Sequence, residues 1–292
     1  MPTIQQISEL AQTAQAAYAI GLVTGASNAT AYQNAATAGM SVAQATAFNA
    51  TWNVLQQSPL NGNGFSAVLL QNRTTGEKVL AIAGTDPSSP ADLITDLVNI
   101  ALYGTVLGMP QYQSLESFYT QLVSSGKLGA TEQIAVTGHS LGGFLAQAFT
   151  ARHSSVVSAA YTYNAPGFGN GETLLGFLGI IDTNAAAKIT NVHAADGLSM
   201  TAGLGVMLGA SRPVRIEADA NPLNNHSVVT LGDALAVHEL YARLQPGLST
   251  NQIGAQFIAA GYRERRLEDA LDALRTVFIG SASNDAVLAC AA

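Results

Sequence analysis

The fold is decided by Ile134-Ala135-Val136-Thr137-Gly138-His139-Ser140-Leu141-Gly142-Gly143. The first four residues are typical of a buried strand, and the residues from Leu141 to about His153 predict a helix. The turn between them matches Gly-x-Ser-x-Gly, which is weak evidence by itself in a chain with 28 glycines. The strand before it and the helix after it add weight, because a nucleophilic serine of this kind stands on a strand-to-helix turn. Ser140 is therefore the candidate nucleophile.

Strands and helices alternate on both sides of this turn. We predict helices over 4–20, 41–52, 92–103, 113–124, 141–153, 229–244 and 263–278, and strands over 65–71, 79–83, 134–137, 158–163, 188–193 and 214–216. Such alternation predicts the α/β class, with a mainly parallel central sheet, helices on both faces and additional N-terminal helices. No repeat or long linker interrupts the pattern, so we expect a single domain over 1–292.

Composition narrows the possible partners. Charged residues make up 11% of the chain and the net charge is −7, with no run of Lys or Arg. We therefore expect no nucleic-acid partner and some contact with apolar substrate or a lipid surface. The single cysteine, Cys290, excludes an internal disulfide and a cysteine metal cluster. We predict no metal, no cofactor and no transmembrane segment. We expect no Sec-type signal peptide, because the first cationic side chain is Arg73; the compartment stays open between the cytoplasm and export without an N-terminal signal.

A serine nucleophile needs a histidine base. His193 ends a predicted strand and His238 lies within a predicted helix, so structural roles are expected for both. His226 stands in a polar stretch, Asn221-Pro222-Leu223-Asn224-Asn225-His226-Ser227, just before a helix. A loop in this place would let the side chain reach over the sheet edge, so His226 is the candidate base.

The orienting acid should follow a strand and precede the histidine. Asp196 meets both conditions, because it sits where the strand ending near His193 breaks into Ala194-Ala195-Asp196-Gly197. Asp182, Glu217 and Asp219 remain alternatives. Asp219 also follows a predicted strand, but it lies only seven residues before His226. We expect Asp196 to be the acid, with Asp219 as its main rival.

An oxyanion hole needs two hydrogen-bond donors aimed at the tetrahedral intermediate. The amide of Leu141 is one candidate, because it begins the helix after the nucleophile, where amides are free. The second donor should come from the loop after an earlier strand. Gly84-Thr85-Asp86 follows the strand Leu80-Ala81-Ile82-Ala83, which makes Thr85 the candidate.

These segments resemble class 3 (fungal-type) lipases and their bacterial relatives. The resemblance rests on the segment around Ser140, on Val79 to Asp86, and on Lys188 to Asp196. In the second segment Ala83 replaces the family's usual Arg. In the third, His193-Ala194-Ala195-Asp196 has the family's spacing but lacks the proline that often follows the acid. The stretch from Asn225 to Leu231 resembles bacterial lipase-like domains of secreted proteins, although no calcium-binding repeat is present.

The resemblance implies the α/β-hydrolase fold, hydrolysis of carboxylic esters through an acyl-enzyme, and a mobile lid. It assigns Ser140, Asp196 and His226 to the catalytic triad and Thr85 and Leu141 to the oxyanion hole. Residues 86–112 are the candidate lid, since the helix predicted there is too broadly apolar for a simple surface helix; a buried core helix is the alternative. Lipase or esterase activity on lipid-like esters is the leading expectation. Phospholipase A1, polyester hydrolase and a catalytically inactive binding module of a secreted protein are the alternatives.

Overall fold

The computed structural model describes residues 2–60, 62–84, 109–168, 184–197, 205–218, 220–246 and 252–254. These residues contain a seven-stranded sheet whose spatial order follows the chain. Its strands are β1 (Trp52–Gln57), β2 (Ala67–Asn72), β3 (Lys78–Ile82), β4 (Ile134–His139), β5 (Val157–Tyr163), β6 (Ile189–Ala194) and β7 (Ala210–Val214). β1, β2 and β3 are antiparallel neighbours, whereas β3 to β7 are all parallel. The predicted mainly parallel sheet is confirmed.

Helices cover both faces of the sheet. They are α1 (Ile4–Ala16), α2 (Ala29–Gln33), α3 (Val42–Thr51), α4 (Pro110–Ser124), α5 (Leu141–Arg152), α6 (Pro222–His226) and α7 (Val228–Leu244). Successive strand side chains point to opposite faces, so β3 contributes Val79 and Ala81 to one core and Leu80 and Ile82 to the other. The first core is closed by α1 and α7, and the second by α4 and α5. The α/β class with helices on both faces is confirmed.

The parallel strands place the candidate site. β4 is central and fully buried, and it runs into Ser140 at its carboxyl end. Polar groups that follow β3 and β5 must lie near the same edge, because parallel strands share their carboxyl edge. Open α/β sheets bind their ligands outside that edge. The helix α1 packs across β3, β4 and β5 and also against α7. Tyr18, which follows α1, contacts His139 at the carboxyl end of β4, so the N-terminal part of the chain reaches this edge as well.

The structure differs from the sequence prediction around Trp52. The predicted helix runs through Trp52, but α3 ends at Thr51 and β1 begins at the next residue. Phe48 and Trp52 keep helical spacing, and both are buried with stacked rings 6.2 Å apart. That spacing conceals the change from helix to strand. Neither β1 nor the short helix α2 is predicted from the sequence.

The stretch before His226 was predicted as a loop, and this is wrong in detail. It forms the short helix α6, which begins with Pro222 and ends at His226. The Asn221 side chain accepts a hydrogen bond from the Leu223 amide and caps the helix. Asn followed by Pro is a helix-start signal, and one turn of helix is too short to give a periodic pattern.

Several predicted elements lie outside the described residues. They are the helices over 92–103 and 263–278 and most of the candidate lid. The last residues of the candidate lid belong to the first turn of α4. None of the helices given above combines the length and apolar character that crossing a bilayer requires.

Candidate active site

Ser140 occupies a strained turn between β4 and α5. Its backbone has φ 57° and ψ −127°, a conformation that costs a non-glycine residue about 1–3 kcal/mol. The turn closes tightly, because a Cβ atom on Gly138 would collide with the backbone of Gly142, and one on Gly142 would collide with the carbonyl of Ile82. Glycine is therefore required by contact both two positions before and two positions after the serine. This is the geometry of a nucleophile elbow.

His226 reaches Ser140 from the end of α6. Its Nε2 atom lies 2.9 Å from Ser140 Oγ. Both residues are almost fully buried, with exposed fractions of 3% and 2%. The structure thus brings together two groups that stand 86 positions apart in the sequence. His193 lies on β6 and His238 within α7.

The backbone of His226 is held by two further side chains. The Nε2 atom of His139 lies 2.7 Å from the carbonyl oxygen of His226, and Asn164 Nδ2 donates to the same oxygen at 3.0 Å. Asn164 itself sits at a positive φ of 45° directly after β5, and its Oδ1 accepts from the Ala194 amide. The end of α6 is thereby tied to the carboxyl ends of β4, β5 and β6.

The tautomer of His139 follows from its partners. A carbonyl oxygen only accepts, so Nε2 of His139 carries the hydrogen and Nδ1 is the acceptor. The hydroxyl of Tyr18 lies 2.7 Å from Nδ1 and donates to it. Sequence analysis assigned no function to His139, Tyr18 or Asn164. His139 could have been singled out from the sequence, since it occupies the position directly before the candidate nucleophile.

Burial sets the charge of the two histidines. It lowers the pKa of His139 to about 4, against an ordinary value of 6.5, although its hydrogen bond to the His226 carbonyl opposes the shift. Burial also lowers the pKa of His226 well below 6.5, and the neighbouring His139 adds to the effect. The two ring centres are 4.9 Å apart. Near neutral pH both imidazoles are therefore uncharged, and the Nε2 of His226 is able to accept a proton from Ser140.

Asp196 follows β6 and lies beside α6. A Cβ atom on the next residue, Gly197, would run into the side-chain amide of Asn225, the neighbour of His226. The Asp196 carboxylate is held by the guanidinium of Arg215 and by the amide of Ile216, at 3.3 Å from the latter. His226 is not among its hydrogen-bond partners. Its role as the triad acid stays a prediction.

The other predicted site residues are placed in part. Asp182, Asp219 and Thr85 lie outside the described residues, and Glu217 is exposed. Leu141 is the first residue of α5, where helix amides have no acceptor within the helix. A Cβ atom on Gly84, the residue before Thr85, would lie 3.0 Å from Ser140 Cβ. Within the described ranges no group of three His, Cys, Asp or Glu side chains is suited to hold a metal ion.

Comparison with known proteins gives matches at the level of structure. No family model matches the sequence, and no curated protein matches it. A triacylglycerol lipase whose catalytic centre is described as a serine protease triad is 16% identical, with 72% of this chain and 80% of that chain covered and a TM-score of 0.50. The Lip2 lipase of Yarrowia lipolytica is 17% identical, with 76% and 82% covered and a TM-score of 0.48. A triacylglycerol lipase of Penicillium expansum is 12% identical, with 72% and 79% covered and a TM-score of 0.44.

These similarities concern the fold. The three structures compared are lipases, and their sequence identity to this chain is low throughout. The match with a TM-score of 0.50 confirms the predicted α/β-hydrolase fold. Fold does not determine substrate; the bacterial branch of the resemblance stays a prediction.

Proposed function

We propose that this chain is a serine hydrolase of carboxylic esters, of the lipase or esterase type, acting on lipid-like esters through an acyl-enzyme. The observation that carries the proposal is the 2.9 Å contact between Ser140 Oγ and the neutral, buried imidazole of His226. A serine hydroxyl becomes a useful nucleophile only beside such a base. The strained turn under Ser140 supports the same reading, because strain is retained where the surrounding structure enforces it for function.

The reaction has two halves. Ser140 Oγ attacks the ester carbonyl while His226 Nε2 takes its proton, and the resulting oxyanion is held by the amides of Leu141 and Thr85. The tetrahedral intermediate collapses, the alcohol leaves with the proton from His226, and Ser140 is left acylated. Water then attacks the acyl-enzyme, again giving its proton to His226, and releases the carboxylic acid. No cofactor enters this scheme.

The test of the nucleophile uses a fluorophosphonate probe, which modifies only an activated serine. The wild-type chain should be labelled and should hydrolyse p-nitrophenyl esters, whereas Ser140→Ala should lose both properties. Ser124→Ala is the matched control, because Ser124 is exposed at the end of α4. Retained turnover in Ser140→Ala would contradict the assignment. A wild-type chain that is neither labelled nor active would instead favour the inactive binding module.

The acid is assigned by comparing two variants. Asp196 holds Arg215 and the Ile216 amide, so Asp196→Asn should lower stability whether or not the carboxylate serves the triad. The discriminating measurement is therefore kcat in folded protein. Loss of the orienting carboxylate lowers kcat by up to about 10⁴-fold. Asp196→Asn is expected to show such a loss and Asp219→Asn is not; the reverse result would transfer the role to Asp219.

Substrate profiling refines the proposal. Triacylglycerols, phospholipids and polyesters offer the same carbonyl chemistry and differ in what surrounds it. Release of acid from each class, measured with Ser140→Ala as the blank, separates a lipase or esterase from a phospholipase A1 or a polyester hydrolase.

A further inference from the structure

Gln147 is a fully buried carboxamide on α5, the helix that begins directly after Ser140. Its side chain bonds to the backbone of two separate segments. Nε2 donates to the carbonyl of Pro166 at 3.0 Å, and Oε1 accepts from the amide of Leu208 at 3.3 Å. Pro166 follows β5, and Leu208 precedes β7. Because a buried carboxamide is costly unless it is hydrogen-bonded, these two bonds fix Gln147 and tie both segments to α5.

The bond to Pro166 is one of two contacts between α5 and the segment after β5. Gly143 and Gln147 are four residues apart and therefore lie on one face of the helix. A Cβ atom on Gly143 would lie 2.6 Å from the Cβ of Ala165, so the missing side chain lets Ala165 touch the helix. Gln147 then holds Pro166 one turn further along. Ala165 and Pro166 are thus fixed against α5 at successive turns.

Asn164 stands directly before these two residues. Its positive φ of 45° is uncommon for any residue other than glycine, although Asn tolerates it better than most. In this conformation Nδ2 donates to the carbonyl of His226 at 3.0 Å, and Oδ1 accepts from the amide of Ala194 at 2.9 Å. A displacement of Ala165 and Pro166 would pass along the chain to Asn164. The helix that begins after Ser140 therefore also fixes the residue that holds the base.

We infer that Gln147 is a positioning residue, which sets the distance between Ser140 and His226 through Pro166 and Asn164. The inference rests on the proposed function and adds to it a residue that keeps nucleophile and base in register. A catalytic group misplaced by about 1 Å can lose roughly 10²-fold in rate. A smaller loss, about tenfold in kcat, is expected on removing the Gln147 bonds, because His139 also holds the His226 carbonyl.

The experiment compares Gln147→Met with Asn191→Leu, two variants that replace a buried carboxamide by an apolar side chain of similar size. Asn191 is the matched control, because its Nδ2 donates to the carbonyl of Leu208 and its Oδ1 accepts from Thr162. It therefore holds the same Leu208 without bonding to Pro166. Both variants should be less stable than wild type. In folded protein, Gln147→Met should lower kcat on p-nitrophenyl butyrate about tenfold with little change in KM, whereas Asn191→Leu should stay close to wild type.

A double variant tests the route through Asn164. If Gln147 acts through Asn164, the combination of Asn164→Ala with Gln147→Met should be no slower than Asn164→Ala alone, because the route is already broken. A merely structural role would multiply the two losses. Multiplied losses, an equal loss of kcat in Gln147→Met and Asn191→Leu, or an unchanged kcat in Gln147→Met would each overturn the inference.

Crystal structures separate this inference from the proposed function. A wild type that hydrolyses no ester would refute the proposed function, whereas the positioning role is judged by the distance between Ser140 Oγ and His226 Nε2, which is 2.9 Å in wild type. That distance should lengthen in Gln147→Met, and an unchanged distance would overturn the inference. If circular dichroism shows that Gln147→Met does not fold, Gln147→Asn carries the same tests, since its carboxamide is one methylene too short to span Pro166 and Leu208.

Discussion

His139 should make the folded protein sensitive to acid. In the native state burial lowers the pKa of His139 to about 4, whereas in the unfolded chain it returns to 6.5. The unfolded chain therefore takes up a proton at His139 as the pH falls below about 6.5, while the native state does not until near pH 4. Protons thus favour unfolding in this window, so His139 lowers the free energy of unfolding as the pH drops.

The expected size of this effect follows from the two pKa values. At about 1.4 kcal/mol for each pH unit, the window between them corresponds to roughly 3 kcal/mol of unfolding free energy. His226, whose pKa is lowered in the same direction, adds to the acid sensitivity of the wild type. In His139→Gln the part that belongs to His139 disappears. The free energy of unfolding should then fall by roughly 3 kcal/mol less than in wild type between pH 6.5 and pH 4.

The measurement is urea unfolding at a series of pH values from 7.5 to 4. Tyr18→Phe is the matched control, because it removes the hydroxyl that donates to His139 Nδ1 but leaves the imidazole in place. It should lose about 1 kcal/mol at neutral pH and keep the steep pH dependence. If His139→Gln retained the full pH dependence of the wild type, His139 would titrate normally in the native state and the reasoning from burial would be refuted.

Further consequences can be measured independently. The acid limb of the pH profile of kcat/KM should lie below pH 6.5, since it reports the lowered pKa of His226, and a limb above that value would contradict the assignment. Asn164→Ala should reduce kcat about 10- to 100-fold with little change in KM, because the His226 backbone loses a donor; parallel changes in both constants would argue against a positioning role. Gly142→Ala should lower the free energy of unfolding by about 1–3 kcal/mol, since its Cβ would meet the Ile82 carbonyl; unchanged thermal stability would show that the turn has room. Lys188→Met should lower the free energy of unfolding in urea by about 1–3 kcal/mol, because Nζ of Lys188 donates to two backbone carbonyls that would lose their donor. An unchanged free energy of unfolding would show that these two hydrogen bonds contribute no net stability.

Strong local patterns made most of the sheet predictable. β3, β4 and β6 are short apolar runs bounded by turn residues, and their predicted positions agree with the structure within one or two residues. The strand-to-helix turn at Ser140 was predictable for the same reason, because its motif lies between a clear strand and a clear helix. β1 was not, since Phe48 and Trp52 hide the end of α3 behind helical spacing.

Contacts between distant segments could not be predicted from the sequence patterns. His139 bonds to Tyr18 and to the His226 carbonyl, partners 121 and 87 positions away. No periodicity or local motif encodes such a pairing. Asp196 illustrates the same limit, since its strand-end position was predicted while its partners, Arg215 and the Ile216 amide, emerge only when β6 and the segment after β7 lie side by side.

Tyr18 connects the candidate base to the cavity at the end of β3. Its hydroxyl donates to His139, which in turn holds the carbonyl of His226, and the residue also lines the cavity beside Ser140. Any molecule in that cavity would thus contact the residue that donates to Nδ1 of His139. A protonated His139 would carry a positive charge 4.9 Å from the ring that must itself become charged during catalysis, and like charges at that distance oppose the reaction. Through Tyr18, the segment after α1 therefore helps in the proposed mechanism to keep the environment of the base uncharged.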